Sequence, residues 1–183
     1  MRHVFILNPV SGKHAPAMCL KPEIEAYFAQ HGGDYAVRVT EYAGHAREIA
    51  REEAEKGDGV RLYACGGDGT LFEVVNGMFG YPNAQLALMP CGSGNDYVKT
   101  YGEKQAFLDL SAQMEGQVIE ADAIRAGEHI SINIGCMGLD ANVAAQMIRY
   151  KRLPLVSGRM AYHLSVVQNF LGKIGAQFTV YID

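Results

Sequence analysis

The chain has 183 residues and a net charge of −4; 49% are apolar and 20% charged, with no Trp and 21 Gly. That describes one globular domain, or a domain and part of another, and the acidic balance argues against general nucleic-acid binding. No apolar run reaches membrane-spanning length. Cys19, Cys65, Cys91 and Cys136 lack zinc-site spacing and read as free thiols of a reducing compartment. Met1–Leu7 runs straight into a loop motif rather than reading as a secretory leader, so the expected location is cytoplasmic.

Val4-Phe5-Ile6-Leu7 is a continuous apolar run, the pattern of a strand buried on both faces. It ends in Asn8-Pro9-Val10-Ser11-Gly12-Lys13, a polar loop with a hydroxyl, an open N–H and a cation but without the first glycine of a Walker A loop. Lys13 suits a phosphate contact or a solvated loop position. A helix is expected from Pro22, with Ile24, Tyr27 and Phe28 on one face, closing at His31-Gly32-Gly33. Tyr35–Val39 reads as the second strand and delivers Thr40 to a strand end. Ala46, Ile49, Ala50 and Ala54 give the next helix its apolar stripe, and Gly57-Asp58-Gly59 ends it.

Arg61–Ala64 is the third strand, followed by Cys65-Gly66-Gly67-Asp68-Gly69-Thr70 and a helix from Thr70 to about Phe79 with Leu71, Val74, Val75 and Met78 inward. Glycine permits positive φ and removes the Cβ, so a ligand can approach the backbone. Successive N–H groups and the following helix dipole favour an anion, with phosphate the expected guest; a plain strand-to-helix turn is the alternative. Asp68 repels a phosphate unless a metal, a lysine, a hydroxyl or water compensates it. Tyr81-Pro82-Asn83 is a turn, and Gln85–Met89 the fourth strand. The loop Pro90-Cys91-Gly92-Ser93-Gly94-Asn95-Asp96 follows, in which Asn95 or Asp96 can cap a short helix from Tyr97. Tyr97 stands where a dinucleotide fingerprint needs its third glycine.

Alternation of strand and helix predicts an α/β fold: a mostly parallel sheet with helices on both faces. The loops at Asn8, Thr40, Gly66 and Gly92 then share the carboxyl rim where such sheets bind ligands. After about residue 104 the pattern changes. A helix is expected over 105–114. Strands at 117–123 and 129–134, joined through Arg125–Glu128, start an antiparallel second domain. Helices follow over 143–150 and 158–171, then a strand over 176–182. The domains expected are 1–115 and 116–183, the second incomplete. Residues 1–140 hold 11 of the 16 basic and 19 of the 20 acidic residues; residues 141–182 hold Arg149, Lys151, Arg152, Arg159, Lys173 and no acid. The stretch Arg149–Arg159, with Leu153, Leu155 and Val156, suits docking on anionic lipid or a solvated helix face.

Taken together, N-P-x-S-G at Asn8–Gly12, G-G-D-G-T at Gly66–Thr70, P-x-G-S-G-N-D at Pro90–Asp96 and G-x-D-A at Gly138–Ala141 resemble the catalytic domain of diacylglycerol kinases and related sphingosine, ceramide and bacterial lipid kinases. The resemblance covers the whole chain. It implies an N-terminal nucleotide-binding α/β domain followed by a C-terminal β-sandwich, with ATP between them. It also implies transfer of the γ-phosphoryl of ATP to a lipid hydroxyl, diacylglycerol foremost. By carry-over, Asn8, Pro9, Val10, Ser11, Gly12, Thr40, Gly66, Gly67, Asp68, Gly69, Thr70, Leu71, Phe72 and Ser93 would contact ATP. Asp68, Asp96 and Asp122 would join a Mg²⁺–water network, although Asp96 also fits a helix cap and Asp122 a strand-end acid. The family's general base and structural Mg²⁺ ligands correspond to positions beyond residue 183, so the chain is expected to hold mainly the ATP half, with little activity alone. Further expectations are peripheral contact with a lipid-bearing membrane and a homodimer. An NAD kinase-like enzyme, or a nucleotide-binding module without catalysis, is the competing reading.

Overall fold

The computed structural model describes residues 1–12, 14–150, 153, 156–172 and 179. Contacts divide the chain into two compact units, residues 1–133 and 134–183. Lys13, Lys151, Arg152, Pro154 and Leu155 of the basic stretch, and most of the strand expected over 176–182, lie outside the described residues.

In the first unit, β1 (Arg2–Leu7), β2 (Tyr35–Val39), β3 (Val60–Gly66) and β4 (Ala84–Pro90) form one parallel sheet in the order β2-β1-β3-β4. The connecting helices are α1 (Pro16–His31), α2 (His45–Glu55) and α3 (Asp68–Met78). Alternate residues of each strand point to opposite faces, so a strand covered on both sides must be apolar at every position. Val4 and Ile6 enter a core with Ile49 and Ala50 of α2 and Val74 of α3. Phe5 and Leu7 enter the opposite core with Leu20, Ile24 and Phe28 of α1. Leu7 is level with Val39 on one side and Cys65 on the other, and Gly66 with Pro90, so the strands end at one rim. From β1 the chain runs outward to β2, then crosses back to β3 on β1's other flank. The switch point therefore lies between the ends of β1 and β3, where α/β sheets open a ligand crevice.

Three local expectations are corrected. The first helix starts at Pro16, not Pro22. Proline at a first helical position sacrifices only an N–H that has no intrahelical partner. Pro22 lies within the helix, exposed to solvent, and apolar spacing on either side outweighs its missing donor. The helix expected over 105–114 is two short ones, α5 (Lys104–Leu108) and α6 (Leu110–Glu115), because Asp109 is extended and its carboxylate accepts from Ala112 N–H. They follow the short α4 (Asp96–Lys99).

The third concerns the hairpin. Residues 117–123 form no strand and are exposed. The antiparallel pair is β5 (Ile124–Ala126) with β6 (His129–Ser131), so Arg125 stands in a strand and the turn is Gly127-Glu128. Gly127 has φ +61°, which fixes the turn there. Asn76 of α3 anchors the pair: its Oδ1 accepts from Ile130 N–H at 2.9 Å and its Nδ2 donates to Ile130 C=O at 2.8 Å. Ile130 is buried in the α2–α3 core. The hairpin thus belongs with the first unit, and an antiparallel element does follow the parallel sheet.

The second unit contains α7 (Leu139–Tyr150) and α8 (Gly158–Leu171). Ser165 Oγ donates to Val143 C=O at 2.7 Å, and Ser157 caps α8 by accepting from Met160 N–H. Among the described residues no helix is long and apolar enough to cross a membrane.

Candidate active site

Each of the four strands ends in a polar loop on the same rim, and hydrogen bonds lock these loops together. Asn8 N–H donates to Cys65 C=O at 3.0 Å, Thr40 N–H to Leu7 C=O at 2.9 Å, and Cys91 N–H to Gly66 C=O at 2.7 Å. Side chains tighten the frame. Asn8 Nδ2 donates to Thr70 Oγ1 at 2.9 Å, while its Oδ1 accepts from Val10 N–H and its C=O from Ser11 N–H. Asn95 grips one peptide from both sides: Gly92 N–H donates to its Oδ1 at 3.0 Å and its Nδ2 donates to Gly92 C=O at 2.8 Å. Asn95 precedes α4 in the left-handed region, φ +51°, and its side chain makes no cap. It organises the glycine loop instead.

The glycines act through closeness more than through conformation. Gly66, Gly67, Gly69 and Gly92 have no positive φ. A Cβ on Gly92 would overlap the Gly67 Cα, and one on Gly67 would stand 3.1 Å from the Gly92 Cα. Two backbones from different loops therefore touch. β3 runs through Gly66 and α3 begins at Asp68, leaving only Gly67 as the turn.

The rim encloses a crevice of about 340 Å³ bounded by Asn8–Ser11, Thr40–Ala43, Gly67, Gly69, Thr70 and Glu73. Of the residues expected at a nucleotide, Asn8, Pro9, Val10, Ser11, Thr40, Gly67, Gly69 and Thr70 are brought together there. Gly12, Gly66, Asp68, Leu71, Phe72 and Ser93 are not in that lining. Leu71 is buried in the core, and Phe72 lies against His129 with ring centroids 5.8 Å apart. Gly12, φ +74°, packs its backbone against Cys91 C=O, and Ser93 is exposed in the glycine loop. The first N–H groups of α3, on Asp68, Gly69 and Thr70, have no acceptor among the described residues. A helix start leaves such donors open, and the dipole there favours an anion.

The acids divide into two sets. Asp68 Oδ1 accepts from Asp96 N–H at 2.7 Å, and Asp96 Oδ1 from Lys99 Nζ at 2.5 Å, which raises the Lys99 pKa. Their remaining Oδ2 atoms face the same point over Gly94, 2.6 and 3.7 Å from where its Cβ would stand. Two carboxylate oxygens without a hydrogen-bond donor among the described residues suit a hydrated Mg²⁺ held through water, rather than an all-protein cage. No group of three or more His, Cys, Asp or Glu side chains suited to a metal occurs among the described residues. Asp122 lies exposed in the coil before β5 and has no hydrogen bond or ion pair with this pair. Glu73 is a site residue that the sequence pattern passes over. Its two oxygens accept from Gly44 N–H at 2.9 Å and Ala46 N–H at 3.2 Å, so it already satisfies the start of α2. Its helical position shows only that it lies on α3's polar face.

A larger cavity of about 560 Å³ lies along β4 at the sheet edge, lined largely by apolar groups such as Val75, Leu86, Tyr97 and Val118. Its Arg61 is already tied to Gln85 and to the Gln113 C=O. Ligand recognition needs convergent free polar groups, which the smaller rim crevice supplies.

An open parallel sheet with its polar crevice at the switch point defines a ligand-binding α/β domain of the doubly wound kind. The chain belongs to the diacylglycerol kinase catalytic domain family, which matches residues 2–126. It is 35% identical over 176 residues to "Probable lipid kinase YegS-like" of Pseudomonas aeruginosa, covering 94% of this chain and 56% of that protein. It is 29% identical over 161 residues to the diacylglycerol kinase of Staphylococcus saprophyticus, covering 87% and 52%. A diacylglycerol kinase crystal structure from Bacillus anthracis superposes with a TM-score of 0.57 at 27% identity, covering 70% of this chain and 48% of that one. The chain thus spans about half the length of these relatives.

Proposed function

We propose that the chain carries the nucleotide half of an ATP-dependent lipid kinase that phosphorylates a lipid hydroxyl, with diacylglycerol as acceptor and phosphatidic acid as product. In that reaction the hydroxyl oxygen bonds to Pγ, the bond from Pγ to the bridging oxygen breaks, ADP leaves and the hydroxyl proton passes to a base. The observation that carries the reading is the convergence of three strand-end loops on one crevice beside the open N–H groups of α3. Those donors would hold phosphate oxygens, while the Asn8 turn and Thr40 close the opposite wall. Asp68 and Asp96 would hold a hydrated Mg²⁺, whose contribution is neutralisation of phosphate charge. The residues assigned here bind and orient; none is assigned as the base.

The test is calorimetric titration of the chain with Mg·ATP, with NAD as the control. Saturable binding of ATP with none of NAD is expected. NAD binding as tight as ATP would favour an NAD kinase-like enzyme instead.

A further inference from the structure

We infer that the ring of Tyr42 is the stacking platform for the base of the bound nucleotide. The inference rests on the nucleotide reading above. Among the residues lining the rim crevice, Tyr42 is the only aromatic one. It is 54% exposed, far more than a ring serving the core.

The ring is nevertheless held in place. One face lies on the His45 imidazole, with centroids 4.5 Å apart and planes within 2°. His45 is fixed in turn, because its Nδ1 accepts from Glu41 N–H at 3.1 Å and its N–H donates to Tyr42 C=O at 3.2 Å. The Tyr42 hydroxyl donates to Glu48 Oε2 at 2.5 Å. Glu73 pins the next turn through Gly44 and Ala46. Loop, imidazole and helix start thus form one braced unit, and among the described residues no second ring stacks on the phenol, which stays largely exposed.

A braced and largely exposed aromatic costs little entropy to use, which is what a planar ligand requires. The crevice lining holds two chemically different sets of groups. Gly67, Gly69 and Thr70 offer backbone donors for anionic oxygens. The Thr40–Ala43 stretch offers a flat apolar ring. A nucleotide carries groups to match both, with phosphates at one end and a planar base at the other. The hydroxyl is spent on Glu48, so the ring contributes stacking rather than reading of the base edge.

The absence of Trp from the chain provides a direct readout. Tyr42→Trp introduces a single indole, to be titrated with Mg·ATP and with Mg·tripolyphosphate, which has the phosphates without the base. ATP is expected to quench the indole and tripolyphosphate to leave it unchanged. In calorimetry, Tyr42→Ala should weaken ATP about 5- to 150-fold, the range for loss of one base–aromatic stack. Its affinity for tripolyphosphate should equal that of the parent, which also checks that the variant is folded. Tyr42→Phe should bind ATP within about threefold of the parent, since the ring remains. ATP binding to the parent with no quenching in Tyr42→Trp and no loss in Tyr42→Ala would overturn the platform and leave the nucleotide site standing. Failure of the parent to bind either ligand would overturn the nucleotide reading and the platform with it.

Discussion

Two glycines of the rim loops should respond to the same substitution with opposite signs. In Gly92→Ala the added methyl meets the Gly67 Cα and N and the Asn95 Oδ1. The first two are backbone of another loop, itself fixed by β3, and cannot swing aside. Overpacking of this kind costs about 1–3 kcal/mol. For a chain of this size that lowers the melting temperature by about 2–12 °C. In Gly69→Ala the methyl meets nothing within 4 Å, and the residue is helical with no positive φ. Alanine is then the better helix former by up to about 1 kcal/mol, so stability should hold or rise. The same methyl projects where the crevice is lined, and ATP affinity should fall. Thermal unfolding followed by circular dichroism, beside ATP calorimetry on both variants, separates the two effects. A Gly69→Ala variant as destabilised as Gly92→Ala would refute the claim that interloop contact, rather than backbone conformation, demands glycine at residue 92.

His3 and the thiols give two further expectations. Burial, then Arg61 and the N-terminal ammonium, lower the His3 pKa below its ordinary 6.5; the unfolded chain therefore binds this proton more readily. Stability should be full above about pH 6.5 and fall as pH drops from there through the lowered folded value, and His3→Gln should flatten the melting-temperature profile between pH 6.5 and 5; an unchanged slope would contradict the assignment. Cys65 and Cys91 are buried, and burial pushes the Cys65 thiol well up and the Cys91 thiol up to about 11. Native labelling with a disulfide reagent should modify Cys19 and Cys136 quickly and the other two only on unfolding; four fast equivalents would show that the β3 and β4 ends are open.

The sheet was legible because burial on both faces forces unbroken apolar strands: Val4–Leu7 and Leu62–Ala64 can serve no other layer of an α/β fold. The common rim followed from strand order alone. What local pattern could not carry was contact between distant segments. Gly92 needs to be glycine because of Gly67, Asn95 turns inward to its own loop's peptide, and Glu73 serves a helix nearly thirty residues earlier. Residues 117–123 alternate as a strand should, yet pairing needs a neighbour, and the neighbour β6 has is Ile124–Ala126. Pro22 misled because a proline's usual place at a helix start was already taken by Pro16. Leu71 and Phe72 follow directly on the glycine motif, but the helical turn rotates one into the core and the other toward His129.

The central claim is that phosphate oxygens of ATP sit on the first turn of α3. The most direct measurement is a titration with Mg·ATP followed through backbone amide shifts in ¹H–¹⁵N spectra. The largest changes are predicted at Gly67, Asp68, Gly69 and Thr70, with smaller ones at Val10, Ser11 and Thr40. Saturable binding that leaves those amides unmoved and shifts the residues along the β4 edge would contradict the account.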